Sequence, residues 1–459
     1  MSATPTGHIA VLDIGKTNVK LVLVDAASGE TVDSRKMPNH VLQEGAYPHA
    51  DLEAIWDWYC AGLREWSAQH RITQLGCTTH GATAVCIGDG APVLPVADYE
   101  WAGYERLNAD YAQVRPPYAQ TLSPALGNGL NLGRQLFWQA RSFADAFAQV
   151  DTILMYPQYW GWRLSGRAVS EVTSLGCHTD LWNPQQQQFS TLVDTMNWRA
   201  LFPPLLAAGE ALGPVLPELA QALGLPPECL VMNGVHDSNA SLVPYLQQAQ
   251  APFTVISSGT WIIMAAVGAP LAGLQEADDM LANVNVRAEP VPSIRFMGGR
   301  EWELLAEAPE ADFADLQAVL AAQVYHLPAF SAQGGPFRER QGRTVGPFER
   351  LNPRQKTALA SLYCALVTDA CLTRVQSQGP IYLEGSFARN AVFCGCLQAL
   401  RPEQTLWVSV DGTGTTAGVV ELIRGGGADL GLVEVADRDA DLDERIRGYR
   451  GAWYELENL

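Results

Sequence analysis

The chain has 459 residues, 47% of them apolar and 17% charged, which is too much apolar material for a small disulfide-stapled module or a disordered tail. Asp and Glu number 49 against 30 Lys and Arg, a formal charge of −19, and no basic run interrupts that excess. A surface so negative repels nucleic acid and anionic membrane, so neither is an expected partner. At about 100–200 residues per domain, two or three domains are expected. No basic stretch precedes an apolar segment at the N-terminus and no run of about 18 apolar residues occurs, so the expectation is a cytoplasmic protein without signal or membrane span. Nine cysteines, without Cys-x-x-Cys pairs or zinc-like spacing, read as buried reduced thiols; only Cys394-Gly395-Cys396 leaves redox or metal chemistry open.

In chain order, the first signal is a β-branched run, His8-Ile9-Ala10-Val11-Leu12, then a polar turn through Asp13-Ile14-Gly15-Lys16-Thr17-Asn18 and a second run, Val19 to Val24. This predicts a hairpin. Asn131 to Val150 carries apolar residues at one-face helical spacing, and Leu230 to Gly234 reads as a strand before Val235-His236-Asp237. Phe253-Thr254-Val255-Ile256, the turn Ser257-Ser258-Gly259-Thr260 and Trp261 to Ala265 then repeat the opening grammar. The repetition predicts two related lobes, each opening with a hairpin whose turn offers backbone N–H groups. Leu359 to Gln376 predicts a long helix, Pro380 to Gly385 a strand, and Ser386 an N-cap for a helix through Leu400. Strands alternating with helices make the class α/β. The glutamine run at 185–188 and the glycine run at 425–427 read as loops.

Gly15-Lys16-Thr17 invites a P-loop reading, which fails because position 10 is alanine and strand-like sequence, not helix, follows the threonine. The turn still suits an anion. Two of the chain's four lysines, Lys16 and Lys20, lie in it, where they offset charge that a chain of −19 would otherwise repel. Ordinary solvated hairpin lysines are the alternative.

Taken in order, these segments resemble the FGGY carbohydrate kinases of the actin-like ATPase superfamily, over nearly the whole chain. Asp13 to Lys20 is similar to the family's first phosphate motif. Leu154-Met155-Tyr156-Pro157-Gln158-Tyr159-Trp160, with Arg163 to Gly166 and Ser170-Glu171-Val172-Thr173-Ser174, resembles the long N-lobe signature. Gly234-Val235-His236-Asp237 is similar to the Gly-x-x-Asp that carries the catalytic base. Ser257 to Trp261 resembles the second phosphate motif, Glu384 to Asn390 the adenosine motif, and Gly412 to Gly418 a final small-residue helix start. Gln158 departs from the family's usual Asp, and Glu384-Gly385-Ser386 from its Gly-Gly, so the C-terminal half is the more divergent.

The resemblance implies a two-lobed, ribonuclease H-like fold with an ATP cleft between lobes 1–247 and 248–459. It implies transfer of the ATP γ-phosphoryl group to a hydroxyl of a small sugar, a ketose such as L-rhamnulose or L-fuculose, with Mg²⁺ spread across the phosphates. Asp237 is then the catalytic base, with helix N-capping as its alternative, and Asp13 the metal ligand. Gly15, Lys16, Thr17, Ser258, Gly259, Thr260, Gly385, Ser386, Asn390 and Gly414 are the implied nucleotide contacts, with Lys16 and Lys20 of second rank. His80, Gln158, Tyr159, Trp160, His236 and Asp237 are the implied sugar contacts, and Trp162 and Trp182 complete an aromatic cluster that is otherwise core filler. A polyol, ketopentose or sugar-acid kinase and a catalytically silent sugar sensor are the rival readings, and a homodimer stays open.

Overall fold

The computed structural model describes residues 7–331, 334–409, 414–427, 429–436 and 439–457. Its contacts fall into two compact units. The first comprises Met1–Gln248 with two later segments, Ala282–Pro290 and Thr413–Ala428; the second comprises Ala249–Leu281, Val291–Gly412 and Asp429–Leu459. The helix Gly414–Arg424 therefore belongs to the first unit, although a single division near residue 247 would place it in the second.

Each unit is built on the same sheet. In the first, the strand order is Ala211–Pro214, Leu230–Met232, Ile72–Thr79, His8–Ile14, Asn18–Asp25 and Thr31–Pro38. Successive pairs run antiparallel, parallel, parallel, antiparallel, antiparallel. In the second, Leu432–Glu434, Leu406–Ser409, Ile381–Gly385, Phe253–Ser258, Ile262–Val267 and Pro290–Phe296 follow with the same succession of senses. The central strands are apolar on both faces because both are covered, which is why the opening runs read as continuous rather than alternating.

Local chemistry explains the main helices. Pro353–Arg374 starts with proline in its first turn and a capping box between Asn352 and Gln355, and it is buried continuously from Thr357 to Leu372. The helix expected over 131–150 is broken. Leu132–Ser142 ends where Phe143 leaves the helical region, its ring packed on Tyr47 and Trp138, and Ala144–Phe147 resumes as a short turn. Tertiary packing overrides the local period there.

The expected cap at Ser386 is also displaced. Ser386–Arg389 forms a 3₁₀ turn, and Asn390 caps Ala391–Leu400 by accepting from the Phe393 N–H at 3.0 Å. All nine cysteines are buried, Cys394 and Cys396 inside the core, and burial pushes the Cys60 thiol up to about 11. Among the described residues no group of three or more His, Cys, Asp or Glu could hold a metal, and no helix is long and apolar enough to cross a membrane.

Candidate active site

Within the first unit, three parallel or hairpin-paired strands end side by side. Asp13 sits opposite Lys20 in the hairpin and beside Thr78 in the parallel neighbour, while His236 is registered with Thr79. This register brings Asp13, His80, His236 and Asp237 to one end of the sheet. The helix Gly414–Arg424 closes on the same end, and Gly418 is needed because a Cβ there would lie 1.8 Å from the Ala240 carbonyl oxygen, directly behind the turn that carries Asp237.

Asp13 is 6% exposed. Its Oδ2 accepts from Thr415 Oγ1 at 2.6 Å and Thr416 Oγ1 at 3.5 Å. Burial lifts its carboxyl above the ordinary range; Thr415 and Lys20 pull it down, and the Asp237 charge pushes it further up. Asp237 opens the short helix Asp237–Ala240, and its Oδ1 accepts the Ser238 N–H at 2.6 Å. That bond is to the adjacent residue and does not cap the helix, whose N-cap position is His236 with no side-chain cap bond, and no bond among the described residues engages Asp237 Oδ2. Burial raises the Asp237 carboxyl, and the Ser238 N–H partly offsets this.

The two histidines are neutral. Burial lowers His236 to about 4 and also lowers His80. His236 Nδ1 faces Asn239 Nδ2 at 3.3 Å, a donor, so the network assigns the proton to Nε2, which lies 3.2 Å from Asp237 Oδ1. His80 Nδ1 lies 3.0 Å from the Gly81 carbonyl, which fixes the opposite tautomer and leaves Nε2 a bare acceptor. Position 81 must be glycine, because a Cβ there would stand 2.5 Å from His236 Nε2.

Tyr99 also belongs to this group, although no sequence motif marks it. Its half-buried ring is 5.4 Å from His80, and its ionisation is opposed first by burial, then by Glu100 and Asp237. Lys16 stands 4.7 Å over that ring, bonded to Asp98 and 3.4 Å from Glu100. Its ammonium is therefore committed to two carboxylates, whereas Thr17 and Lys20 are exposed.

Five expected sugar contacts need correcting. Tyr159 and Trp160 are 1% and 0% exposed inside the core, Trp160 stacked on Trp56, so neither offers a face to a sugar. Trp182 is buried likewise, and Trp162 packs against Tyr159. Gln158 is fully buried, and its Nε2 donates to Asn233 Oδ1 and the Gly234 carbonyl at 3.1 and 3.0 Å, bracing the strand that leads to Asp237.

The second unit holds a cavity of about 550 Å³ lined by Gly259, Thr260, Gly299, Trp302, Ser386, Phe387 and Asn390, with Glu303 and Glu310 also in its wall. Backbone approach is very close. Gly385 has φ +90° and a Cβ there would be 1.9 Å from the Ser258 carbonyl oxygen. Ser258 Oγ donates to the Glu384 carbonyl and accepts the Phe387 N–H at 3.0 Å, so this expected nucleotide contact braces the turn instead. The Asn390 side chain is also committed, capping its helix and donating to Ser361 Oγ at 3.0 Å. Trp302 Nε1 donates to the same Ser361 oxygen at 3.0 Å, which fixes two walls of the cavity at once. Gly259 and Thr260 remain exposed at the turn. Gly414 begins a helix in the first unit, and Gly412 and Thr413 lie outside the described residues.

Two sheets that share a six-strand order and succession of senses, each with a Gly-Thr hairpin turn, define an actin-like ATPase fold. The chain belongs to the FGGY family of carbohydrate kinases: residues 8–244 match the family's N-terminal domain and residues 250–430 its C-terminal domain. It is similar to a carbohydrate kinase from Novosphingobium aromaticivorans, 36% identical with 99% of each chain covered and a TM-score of 0.92. It is also similar to an L-fuculokinase from Salmonella typhi, 27% identical over 266 residues. That alignment covers 56% of either protein, so the chain spans little more than half the length of the curated relative. A xylulose kinase from Lactobacillus acidophilus shares the fold, with 14% identity, 98% of each chain covered and a TM-score of 0.78.

Proposed function

We propose that the chain transfers the γ-phosphoryl group of ATP to a hydroxyl of a small, uncharged sugar, a ketose of the L-rhamnulose or L-fuculose kind. The observation that carries this reading is the arrangement at Asp237. Its Oδ1 accepts the Ser238 N–H, with His236 Nε2 standing 3.2 Å away, and its Oδ2 has no bond among the described residues, so one oxygen is held and the other is presented to a substrate.

Asp237 Oδ2 accepts the proton of the attacking hydroxyl as the bond to phosphorus forms. Burial raises its basicity, and the neutral His236 orients the carboxylate without competing for charge. His80 Nε2 accepts from a second hydroxyl, and the Tyr99 ring supports the sugar's apolar face. Lys16 supports the choice of an uncharged acceptor: it stands over Tyr99 with its charge already balanced by Asp98 and Glu100, so its own ammonium is not free for a sugar acid's carboxylate.

In the second unit, Trp302 and Phe387 provide apolar walls for the nucleoside and the Gly259-Thr260 turn provides the phosphate contact. Asp13 suits Mg²⁺. A buried carboxylate with one oxygen held by threonine hydroxyls and a like charge raising its pKa is stabilised by a cation, and Mg²⁺ ordinarily takes one or two carboxylates plus phosphate oxygens. The ion would supply charge neutralisation on the transferring phosphate.

An ADP-release assay tests the reading on L-rhamnulose, L-fuculose, D-xylulose, glycerol and gluconate. Turnover with one of the ketoses and none with gluconate is the expected result. Turnover greatest with gluconate overturns the uncharged-acceptor reading, and saturable sugar binding without ADP release from any of the panel overturns the kinase.

A further inference from the structure

Glu171 is 0% exposed and takes no part in the chemistry above. It caps the turn Val172–Leu175, accepting the Thr173 N–H at 2.8 Å and the Ser174 N–H at 3.1 Å. Its Oε2 also accepts the Thr173 hydroxyl at 2.6 Å. A hydroxyl has one proton, and this one is committed to Glu171. The Thr173 oxygen is thereby left as an acceptor, and it receives the backbone N–H of His236 at 3.1 Å.

Asp237 is the next residue. On one side its strand is held by the parallel ladder, Val235 with Thr78 and His236 with Thr79. Gln158 holds the Gly234 carbonyl. The bond from the His236 N–H to Thr173 Oγ1 is the last backbone restraint before the base, and its direction is dictated by a carboxylate two residues from its acceptor.

We infer that Thr173 and Glu171 are positioning residues for Asp237: the Glu171 carboxylate orients the Thr173 hydroxyl, which anchors the His236 N–H and so sets where the Asp237 carboxylate is presented. The inference rests on the proposal that Asp237 is the base. A displacement of about 1 Å in a reacting group costs on the order of 100-fold in rate, and a single buried backbone hydrogen bond controls displacements of that size.

The test compares Thr173→Val, Thr173→Ser and Asp237→Asn by steady-state kinetics and thermal melting. Thr173→Val keeps the shape and deletes the acceptor; it should lower kcat about 10- to 100-fold while the KM for ATP stays within about twofold. Thr173→Ser restores the oxygen and should recover kcat to within about threefold of native. Should Thr173→Val fail to fold, Glu171→Gln is read in its place: it keeps one cap oxygen but presents an amide to the hydroxyl, and should lower kcat about tenfold with the same unchanged ATP KM. A native kcat in the folded Thr173→Val protein, or a serine variant as impaired as the valine, overturns the inference. If Asp237→Asn is inactive while Thr173→Val is native-like, only the positioning role falls. If Asp237→Asn keeps a third of the native rate, the base assignment falls and the positioning role with it.

Discussion

Replacing Asp237 by asparagine isolates the proton acceptor from everything else that residue does. The amide keeps Oδ1, so the bond from the Ser238 N–H at 2.6 Å and the 3.2 Å contact with His236 Nε2 survive, and the helix Asp237–Ala240 keeps its start. What changes is the other atom: a carboxylate oxygen able to take a proton becomes an NH₂ group that can only donate. A positioned general base is worth about 10²–10⁴ in rate, or about 2.7–5.4 kcal/mol of barrier at 1.36 kcal/mol per decade. Folding should not suffer, because the substitution removes a buried charge that pushes against Asp13, so the melting temperature holds or rises slightly. Sugar affinity should change by only a few-fold, since His80 and Tyr99 are untouched. Initial ADP-release rates at saturating ATP and sugar, with a melting curve on the same preparation, decide the matter. A folded variant retaining a third of native turnover refutes the assignment.

Three further outcomes follow from the same geometry. kcat/KM should rise with pH through the ionisation of Asp237, above the ordinary aspartate value of 3.8, and through that of Glu171, which burial pushes up to about 7, with no histidine limb, because burial keeps His236 at about 4 and His80 low; a limb near 6–7 that disappears in His80→Asn and persists in Glu171→Gln contradicts this. Lys16→Met should raise the sugar KM several-fold and leave the ATP KM within about twofold, since Lys16 is paired with Asp98 and Glu100 beside Tyr99; a larger rise for ATP returns the lysine to phosphate binding. Ser361→Ala removes the oxygen shared by two half-buried donors in the wall of the second unit's cavity, Trp302 Nε1 and Asn390 Nδ2, so the ATP KM should rise several-fold with the sugar KM unchanged. Unchanged ATP kinetics in a folded Ser361→Ala protein removes that wall from nucleotide binding.

The hairpins were legible in sequence because their signal is local: β-branched runs flanking a Gly-Thr turn leave little else for the chain to do. The order of motifs was legible for the same reason. Burial was not. Tyr159 and Trp160 sit on a ten-residue helix, Tyr156–Ser165, that is buried from its first residue to Gly161, and an aromatic-rich helix reads alike whether its rings meet a core or a ligand. Glu171 is equally opaque, since a surface N-cap and a fully buried one have the same letters. Tyr99 carried no pattern of its own; its flanking acids, Asp98 and Glu100, acquire meaning only once Lys16 is found between them, 82 residues away in sequence from Asp98.

The residues that sequence reasoning assigned to ligand contact and the structure assigns to bracing share one property: each has a polar side chain strong enough to hold a backbone in a strained or close-packed place. Ser258 holds the Glu384 carbonyl and the Phe387 N–H across the approach at Gly385, Asn390 ends one element and starts another, and Lys16 fastens a loop. Once these side chains are spent, the two Gly-Thr turns are left with peptide N–H groups and threonine hydroxyls. Gly15 and Gly259 each donate inward, to the Asn18 and Trp261 carbonyls at 2.9 and 2.8 Å, which sets the turn and leaves the N–H groups of Lys16, Thr17 and Thr260 without a bond among the described residues. Peptide donors fixed in a turn need no reorganisation to meet an anion, and they carry no net charge that must be neutralised when the anion departs. In a chain of −19, that is a way to bind a phosphate reversibly without assembling the basic patch its composition lacks.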